Sequence, residues 1–330
     1  MAAEFARLGA DYVRVFSNLP HGSRQRVPLT HRDIQAIADR TAAEMAGVVR
    51  ADFSLFPTLT PHCLLALASL EAPSRSARLL HVEPSASPSG ALTWKLACRK
   101  VRRRRLKVTI GSIDPLITES LRAAGGDLPI WDMPIPLDGR FKAAYSSEAK
   151  TIGFFGHQRR ERGLDLLPSL VGKLLESGYR VVLHDTAGHF GAGDVRPRLR
   201  LLTFVEDLSA EITFCDVVVC PMEASHYEHR HSGIVWNAVA SGVPVVLPKG
   251  TLSALRISRL RSSSCYREHS VEGIMSAVSR VASDYPSFAA AAERGALLWK
   301  KKHGVDRFVQ SVLDRLDTQD VPRERGRTRP

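Results

Sequence analysis

Short apolar runs rich in Val, Ile, Leu and Phe recur through the second half of the chain, and segments of helical period lie between them. The runs are 151–155, 180–184, 201–205, 216–220 and 243–247. A strand with one wet face alternates apolar and polar residues. A continuous run belongs to a strand covered on both faces, and therefore to a parallel sheet with helices on either side. The segment after the first run shows the helical pattern. Leu164, Leu167, Leu170, Val171, Leu174 and Leu175 share one face, and Gly178 stops the helix. Further helices are predicted over 208–214, over 270–283 with Ser270 as cap, and over 286–303 and 305–316, the last two parted by Gly304. The first half repeats the alternation more faintly. A capping pattern at Thr30-His31-Arg32-Asp33 opens a helix reaching about residue 50. Strands are expected at 52–57, 79–82, 108–111 and 129–135, and helices at 61–70, 92–105 and 115–124. Residues 138–150 are small and polar and read as a linker. The expected fold class is α/β, with two Rossmann-like, doubly wound domains at 1–140 and 141–316, a cleft between them, and a disordered basic tail at 317–330.

Charge narrows the partners. The net charge is +12, so the ligands or surfaces this chain meets are expected to be anionic. Basic residues cluster at 99–107 (RKVRRRRLK), 256–261 and 323–329. The first cluster, Arg99 to Lys107, reads either as a solvated helix face or as a site of peripheral contact with an anionic membrane. Nucleic acid is not expected, because no aromatic residues interleave with the cations. No run of about 18 apolar residues exists to span a bilayer. The opening residues lack the basic and apolar regions of a signal peptide. The five cysteines are scattered and form no zinc pattern. Together these features predict reduced thiols and a cytoplasmic protein, peripheral at the inner face of the membrane if Arg99 to Lys107 binds lipid.

Two loops have the make-up of an anion site. Residues 227–248 (YEHRHSGIVWNAVASGVPVVLP) read as a polar loop, a short helix opened by Ser232 and Gly233, a stop at Gly242, and a buried strand. A helix N-terminus presents unpaired N–H groups and the positive end of the helix dipole, so an anion is favoured there. Residues 156–163 (GHQRRERG) lie between a strand and a helix and hold three arginines, whose planar forks suit phosphate oxygens. His226, His229 and His231 lack the spacing of a zinc site, so no metal is expected. Gly191-Ala192-Gly193 is too short to mark a dinucleotide site. In the first half, His81 and Glu83 close a strand and are expected to face the cleft. His81 is a candidate general base or acceptor ligand, and equally a polar residue that merely ends a strand.

The run GFFGHQRRERGLDLL, followed by CDVVVCP and SGIVWNAVASGVPVV, resembles the C-terminal half of GT-B glycosyltransferases. It is most similar to the retaining nucleotide-sugar enzymes of family four and their relatives. The likeness covers residues 151 to about 300 in order and spacing, and 237–246 is its most specific part. The first half matches only as an alternating α/β domain, shorter than the family's, and is expected to be a shortened or incomplete acceptor domain. The resemblance implies roles residue by residue. Gly156 closes the first strand of the donor domain. Arg162 stands where the family has its donor-phosphate lysine. His157 stands where an arginine often meets phosphate, and Arg159 adds charge on the same loop. Ser232, Gly233 and Ile234 would offer backbone N–H groups to the diphosphate. Val205, with the residues to Leu208, falls where the nucleobase is recognised.

The sequence departs from that family at its Glu-x7-Glu pair. His229 occupies the place of the first glutamate, beside the transferred sugar. Asn237 occupies that of the second, which meets the ribose hydroxyls. Glu228 is one residue from the first position. The catalytic candidates are accordingly His229, Glu228 and His81, with electrostatic help to the leaving diphosphate from the arginines and the helix N-terminus. The implied function is transfer of a sugar from a nucleotide-sugar to a hydroxyl of a glycan or lipid-linked acceptor, in polysaccharide or glycolipid synthesis, without metal or other cofactor. The alternative is a catalytically impaired GT-B-like protein that binds a nucleotide or glycan.

Overall fold

In the computed structural model, which describes residues 54–56, 61–69, 77–80, 88–106, 108–123, 128–186, 188, 190 and 196–317 together with 32, 35, 36 and 39, the apolar runs are parallel strands and the periodic segments are helices. The chain divides into two compact units. One comprises the described residues up to Ile135 and those from Asp306 onward; the other is Pro136–Val305.

The first unit alternates β1 (Ser54–Phe56), α1 (Pro61–Leu67), β2 (Ala77–Leu80), α2 (Pro88–Arg103), β3 (Ile110–Ser112), α3 (Pro115–Ala123) and β4 (Ile130–Asp132). The four strands are parallel, in the order β1-β2-β3-β4. In α1, Leu64, Leu65 and Leu67 are buried, as are Trp94, Ala97, Cys98 and Val101 of α2, where the apolar face of each helix predicts it. The Trp94 indole N–H donates to the Leu121 carbonyl at 3.0 Å and ties α2 to α3. Part of the basic cluster has a structural use. Lys100 Nζ donates to Ser69 Oγ at 2.7 Å and Arg104 Nη1 to the Ala68 carbonyl at 3.0 Å, so both cations sit at the C-terminal end of α1, where the dipole favours them. Lys107, the strand-end pair His81 and Glu83, the segment 191–193, the tail at 323–329 and most of the helix expected at 30–50 lie outside the described residues. Arg32, Gln35, Ala36 and Asp39 of that helix are helical.

The second unit holds β5 (Thr151–Phe154), α4 (Leu167–Glu176), β6 (Arg180–His184), β7 (Leu199–Leu202), α5 (Leu208–Phe214), β8 (Val217–Val219), α6 (Gly233–Ser241), β9 (Val245–Pro248), α7 (Leu252–Ile257), β10 (Ser263–Tyr266), α8 (Val271–Ser283) and α9 (Tyr285–Lys302). All six strands are parallel, in the order β10-β9-β8-β5-β6-β7. The chain winds outward from β5 to β7, returns to the other side of β5 as β8, and winds outward again to β10. That reversal, between β5 and β8, is where doubly wound sheets open a crevice at the carboxyl ends of their strands. The core is built from Ile152, Phe154, Leu170, Val171, Leu174, Val217 and Val246 in the sheet and α4, with Ile274, Val278 and Val281 of α8. Ser270 caps α8, its Oγ accepting from Gly273 N–H at 3.1 Å. The last helix, α10 (Val305–Asp317), leaves this unit after its first residue and belongs with the first one.

The structure corrects the sequence reading at 138–150: this polar segment is no linker. Lys142 is buried at 6% exposure, and its ammonium donates to the Cys215 carbonyl at 2.6 Å and to Asp216 at 3.2 Å. Its backbone N–H bonds the Ser241 carbonyl at 3.0 Å, and the Tyr145 hydroxyl donates to the Gly242 carbonyl at 2.8 Å. Partners 70 and more residues away supply the burial, so a local reading sees only polarity. β10, over SSCY, has no counterpart among the elements expected from the sequence; it pairs along β9 as an edge strand with Ser264 and Tyr266 turned inward.

Candidate functional site

The crevice at the reversal is a cavity of about 380 Å³, its open mouth included, lined by Phe154 and Phe155 at the end of β5, by Cys220, Pro221 and Met222 after β8, and by Arg162, Tyr227, Ser232 and Ile234 from the loops above. Three pieces of chain set its shape. The first is the loop 155–163. Gly156 has φ +90, a conformation that a side chain strains, and a Cβ there would lie 2.7 Å from Arg162 Nη1 and 3.1 Å from Ile234 Cγ1. The missing side chain is therefore what lets the Arg162 fork lie along the strand end. Gly163, with φ +75, approaches the Pro221 carbonyl so closely that a Cβ would overlap it, so the loop packs directly on the turn after β8. The backbone joins the two as well, Glu223 N–H donating to the Glu161 carbonyl at 3.0 Å. On its other side Gln158 holds the loop to β6, through its N–H on Thr186 Oγ at 2.9 Å and its side chain on the His184 carbonyl.

The second piece is the turn 220–222. Tyr266 OH donates to the Cys220 and Met222 carbonyls, at 2.9 and 2.7 Å, and burial pushes its pKa well above the ordinary phenol value. It is a neutral brace. The third piece is the start of α6. Ser232 is its N-cap residue but makes no side-chain cap bond, and Gly233 is exposed with open space around it. The helix has nine residues, so its first N–H groups and the positive end of its dipole are real features of the crevice wall.

Among the residues that the sequence pointed to, Gly156, His157, Arg162, Ser232 and Ile234 meet at this cavity. One detail differs from expectation. The Ser232 N–H is turned inward and donates to Ser253 Oγ at 3.1 Å, so Gly233 and Ile234 are the backbone donors that remain for a ligand. The other candidates do not line it. Arg159 is exposed, its Nη1 3.7 Å from Glu161. Val205 is half-buried on the loop after β7, beside Phe204, which is 78% exposed. The Asn237 amide is engaged within its surroundings, donating to the Gly233 carbonyl at 2.8 Å and accepting from Ser209 Oγ at 3.4 Å. Glu228 and His229 stand exposed on the loop before α6. His81 lies outside the described residues.

The electrostatics favour an anion. Burial, and then the nearby His157 ring, hold His184 below the ordinary imidazole range. Burial also pushes the Cys220 thiol up to about 12, against the pull of the Arg162 charge, so the cavity floor holds a neutral thiol under a cation. Among the described residues no group of three or more His, Cys, Asp or Glu side chains could hold a metal ion, and no helix is long and apolar enough to cross a membrane.

No model of a protein family matches the sequence, and no curated protein matches it significantly. Solved structures do match. Sucrose-phosphate synthase from Thermosynechococcus elongatus superposes with a TM-score of 0.63 at 11% identity, covering 87% of this chain and 78% of that one. HepE from Anabaena, in complex with UDP-glucose, gives 0.64 at 13% identity, covering 84% and 82%. The glycosyltransferase SnogD from Streptomyces nogalater gives 0.52 at 17% identity, covering 85% and 77%. The fold is that of the GT-B glycosyltransferases. Within a GT-B fold the reversal between β5 and β8 takes on meaning, because the sheet order alone singles out the crevice that Arg162 enters.

Gly156 gives a first prediction. An alanine there must accept φ +90 and displace Arg162 or Ile234. The backbone strain alone costs about 1–3 kcal/mol. Thermal melts are expected to show Gly156→Ala less stable than the wild type, by roughly 2–4 °C for each kcal/mol. An unchanged midpoint would mean that the loop has room to relax.

Proposed function

We propose that this chain is a glycosyltransferase that seats the diphosphate of a nucleotide-sugar against the N-terminus of α6 and Arg162, and transfers the sugar to a hydroxyl of a glycan or lipid-linked acceptor. The observation that carries this reading is the convergence of Gly156, Arg162, Ile234 and the start of α6 at the sheet's reversal point. In that seat Arg162 would give two N–H groups to phosphate oxygens, and Gly233 and Ile234 would give backbone N–H groups. Negative charge grows on the diphosphate as the sugar–oxygen bond breaks, so donors fixed in advance stabilise the transition state more than the ground state. The loop carrying Val205 would meet the base, with the exposed Phe204 ring available to stack on it. The HepE structure with UDP-glucose is consistent with a donor of this class. No metal or other cofactor is invoked. Exposed cations of α2 such as Arg99 and Arg103 would draw the protein to anionic lipid, and so to a lipid-linked acceptor at a membrane's inner face.

A second reading has its own support. Glu228 and His229 are exposed and Asn237 is engaged within its helix, so the places of the family's two glutamates hold no carboxylate poised over the seat. A protein with this seat and no transfer chemistry would bind nucleotide-sugars without consuming them. Incubation with a panel of nucleotide-sugars separates the two readings, because only the transferase releases a nucleoside diphosphate.

A further inference from the structure

Tyr227 is the least expected residue in the crevice. It opens a polar stretch, Tyr227-Glu228-His229-Arg230-His231, in which the sequence gives a tyrosine no role, yet it is 2% exposed and lines the cavity. Its backbone is fixed on both sides. Its N–H donates to the Ala224 carbonyl at 2.8 Å, and its carbonyl accepts from Leu252 N–H at 2.9 Å. The phenol is bracketed by two arginines. Arg162 Nε donates to the hydroxyl oxygen at 2.9 Å, and the Arg230 guanidinium lies 4.2 Å over the ring centroid. Arg230 Nε is buried with no hydrogen-bond partner among the described residues, and the ring is the contact its guanidinium makes there.

A phenol has one proton to give and lone pairs to receive. Here the oxygen receives the Arg162 Nε–H, and among the described residues no acceptor takes the phenol's own proton. A buried O–H without an acceptor is costly, and one that lines an open cavity is satisfied by whatever enters it. The bond at Nε has a second effect: it fixes the guanidinium plane, so the two Nη groups are held ready while Nε is occupied.

Resting on the donor-site reading above, the geometry points to Tyr227 as a further donor-binding residue with two duties. Its O–H donates to a diphosphate oxygen, and its oxygen positions the Arg162 fork. A hydrogen bond to a charged oxygen is stronger than one between neutral groups. Loss of the hydroxyl is therefore expected to weaken diphosphate binding about tenfold or more. The ring, and with it the packing under Arg230, survives in Tyr227→Phe.

The test is calorimetric binding of UDP, GDP and ADP, of the matching nucleosides and of inorganic diphosphate to the wild type and to Tyr227→Phe, with thermal melts of both. The expected result is that the wild type binds one nucleoside diphosphate and that the variant binds it, and inorganic diphosphate, about tenfold more weakly. The matching nucleoside is bound equally by both, and the melting temperatures stay within a few degrees. Arg162→Lys keeps a cation but has no Nε–H for the phenol; it is expected to lose diphosphate affinity as well, and it serves if Tyr227→Phe folds poorly. Equal diphosphate affinity in the wild type and Tyr227→Phe overturns the inference and leaves the donor seat standing. An equal loss for nucleoside and diphosphate overturns it too, as a general disturbance. No binding of any probe by the wild type overturns the donor seat itself, and Tyr227's role with it.

Discussion

Replacing Arg162 by alanine is expected to weaken binding of the nucleoside diphosphate by roughly 10–100-fold while leaving the fold intact. Charge-assisted hydrogen bonds are worth about 1.5–3 kcal/mol each, and every 1.4 kcal/mol is about tenfold in affinity. Arg162 is half-buried at the cavity wall, its Nη1 close over Gly156 and its Nε on Tyr227. Its guanidinium does little to hold the loop in place. The anchors of 155–163 are Gly163 on Pro221, Glu161 on Glu223, and Gln158 on β6. Titration of UDP, GDP and ADP should therefore show the loss in affinity with a melting temperature close to that of the wild type. An unchanged dissociation constant would remove Arg162 from the seat.

The second large effect concerns stability. Lys142→Ala is expected to destabilise the second unit by about 3–5 kcal/mol, the range found when one partner of a buried ion pair is removed. Domains are stable by only about 5–15 kcal/mol, so denaturant melts at neutral pH should show a clear shift. Asp216 is the reason. It accepts from Lys142 Nζ, Ser146 Oγ, Tyr285 OH and the N–H groups of Lys150 and Thr151, at 2.9–3.3 Å. Burial alone would raise its pKa. The Lys150 N–H, the Lys142 charge and the Thr151 N–H outweigh that and hold it below the ordinary carboxylate value. A depressed carboxylate contributes stability that is present above its unfolded pKa and lost as the pH falls through its lower folded value. The wild type should therefore lose stability on acidification below about pH 4, and Lys142→Ala should lose less over the same interval, because its Asp216 lacks the ammonium. A neutral-pH melt equal to the wild type would contradict this account of the pair.

These two residues also mark what was legible in the chain. The loop holding Gly156 and Arg162 could be read because a strand, a glycine and a helix fix its place locally, and the family resemblance picked Arg162 out of its three arginines. The same holds for β6 and α5, whose ends follow from apolar runs and stop signals beside them. Lys142 could not be read, because a lysine in a polar stretch looks solvated until a partner 74 residues away is brought to it. Tyr227 was hidden in the same way, by polar neighbours that stay outside while it turns in. The position of the crevice depends on the order of the strands, which emerges only when β8 returns to the far side of β5. Asn237 and His229 were found by counting from a motif, and counting does not reveal that one is bonded within its own helix and the other faces solvent.

The most direct test of the central claim is turnover of the donor. The purified chain is incubated with UDP-, GDP- and ADP-sugars, alone and with glycan or lipid-linked acceptors, and release of the nucleoside diphosphate is followed by mass spectrometry. The account predicts that one donor class is consumed, through hydrolysis or transfer, and that Arg162→Ala sharply slows the release. A nucleoside diphosphate that binds in the seat while no donor is consumed under any condition would contradict a transferase and leave a nucleotide-binding protein in a GT-B fold.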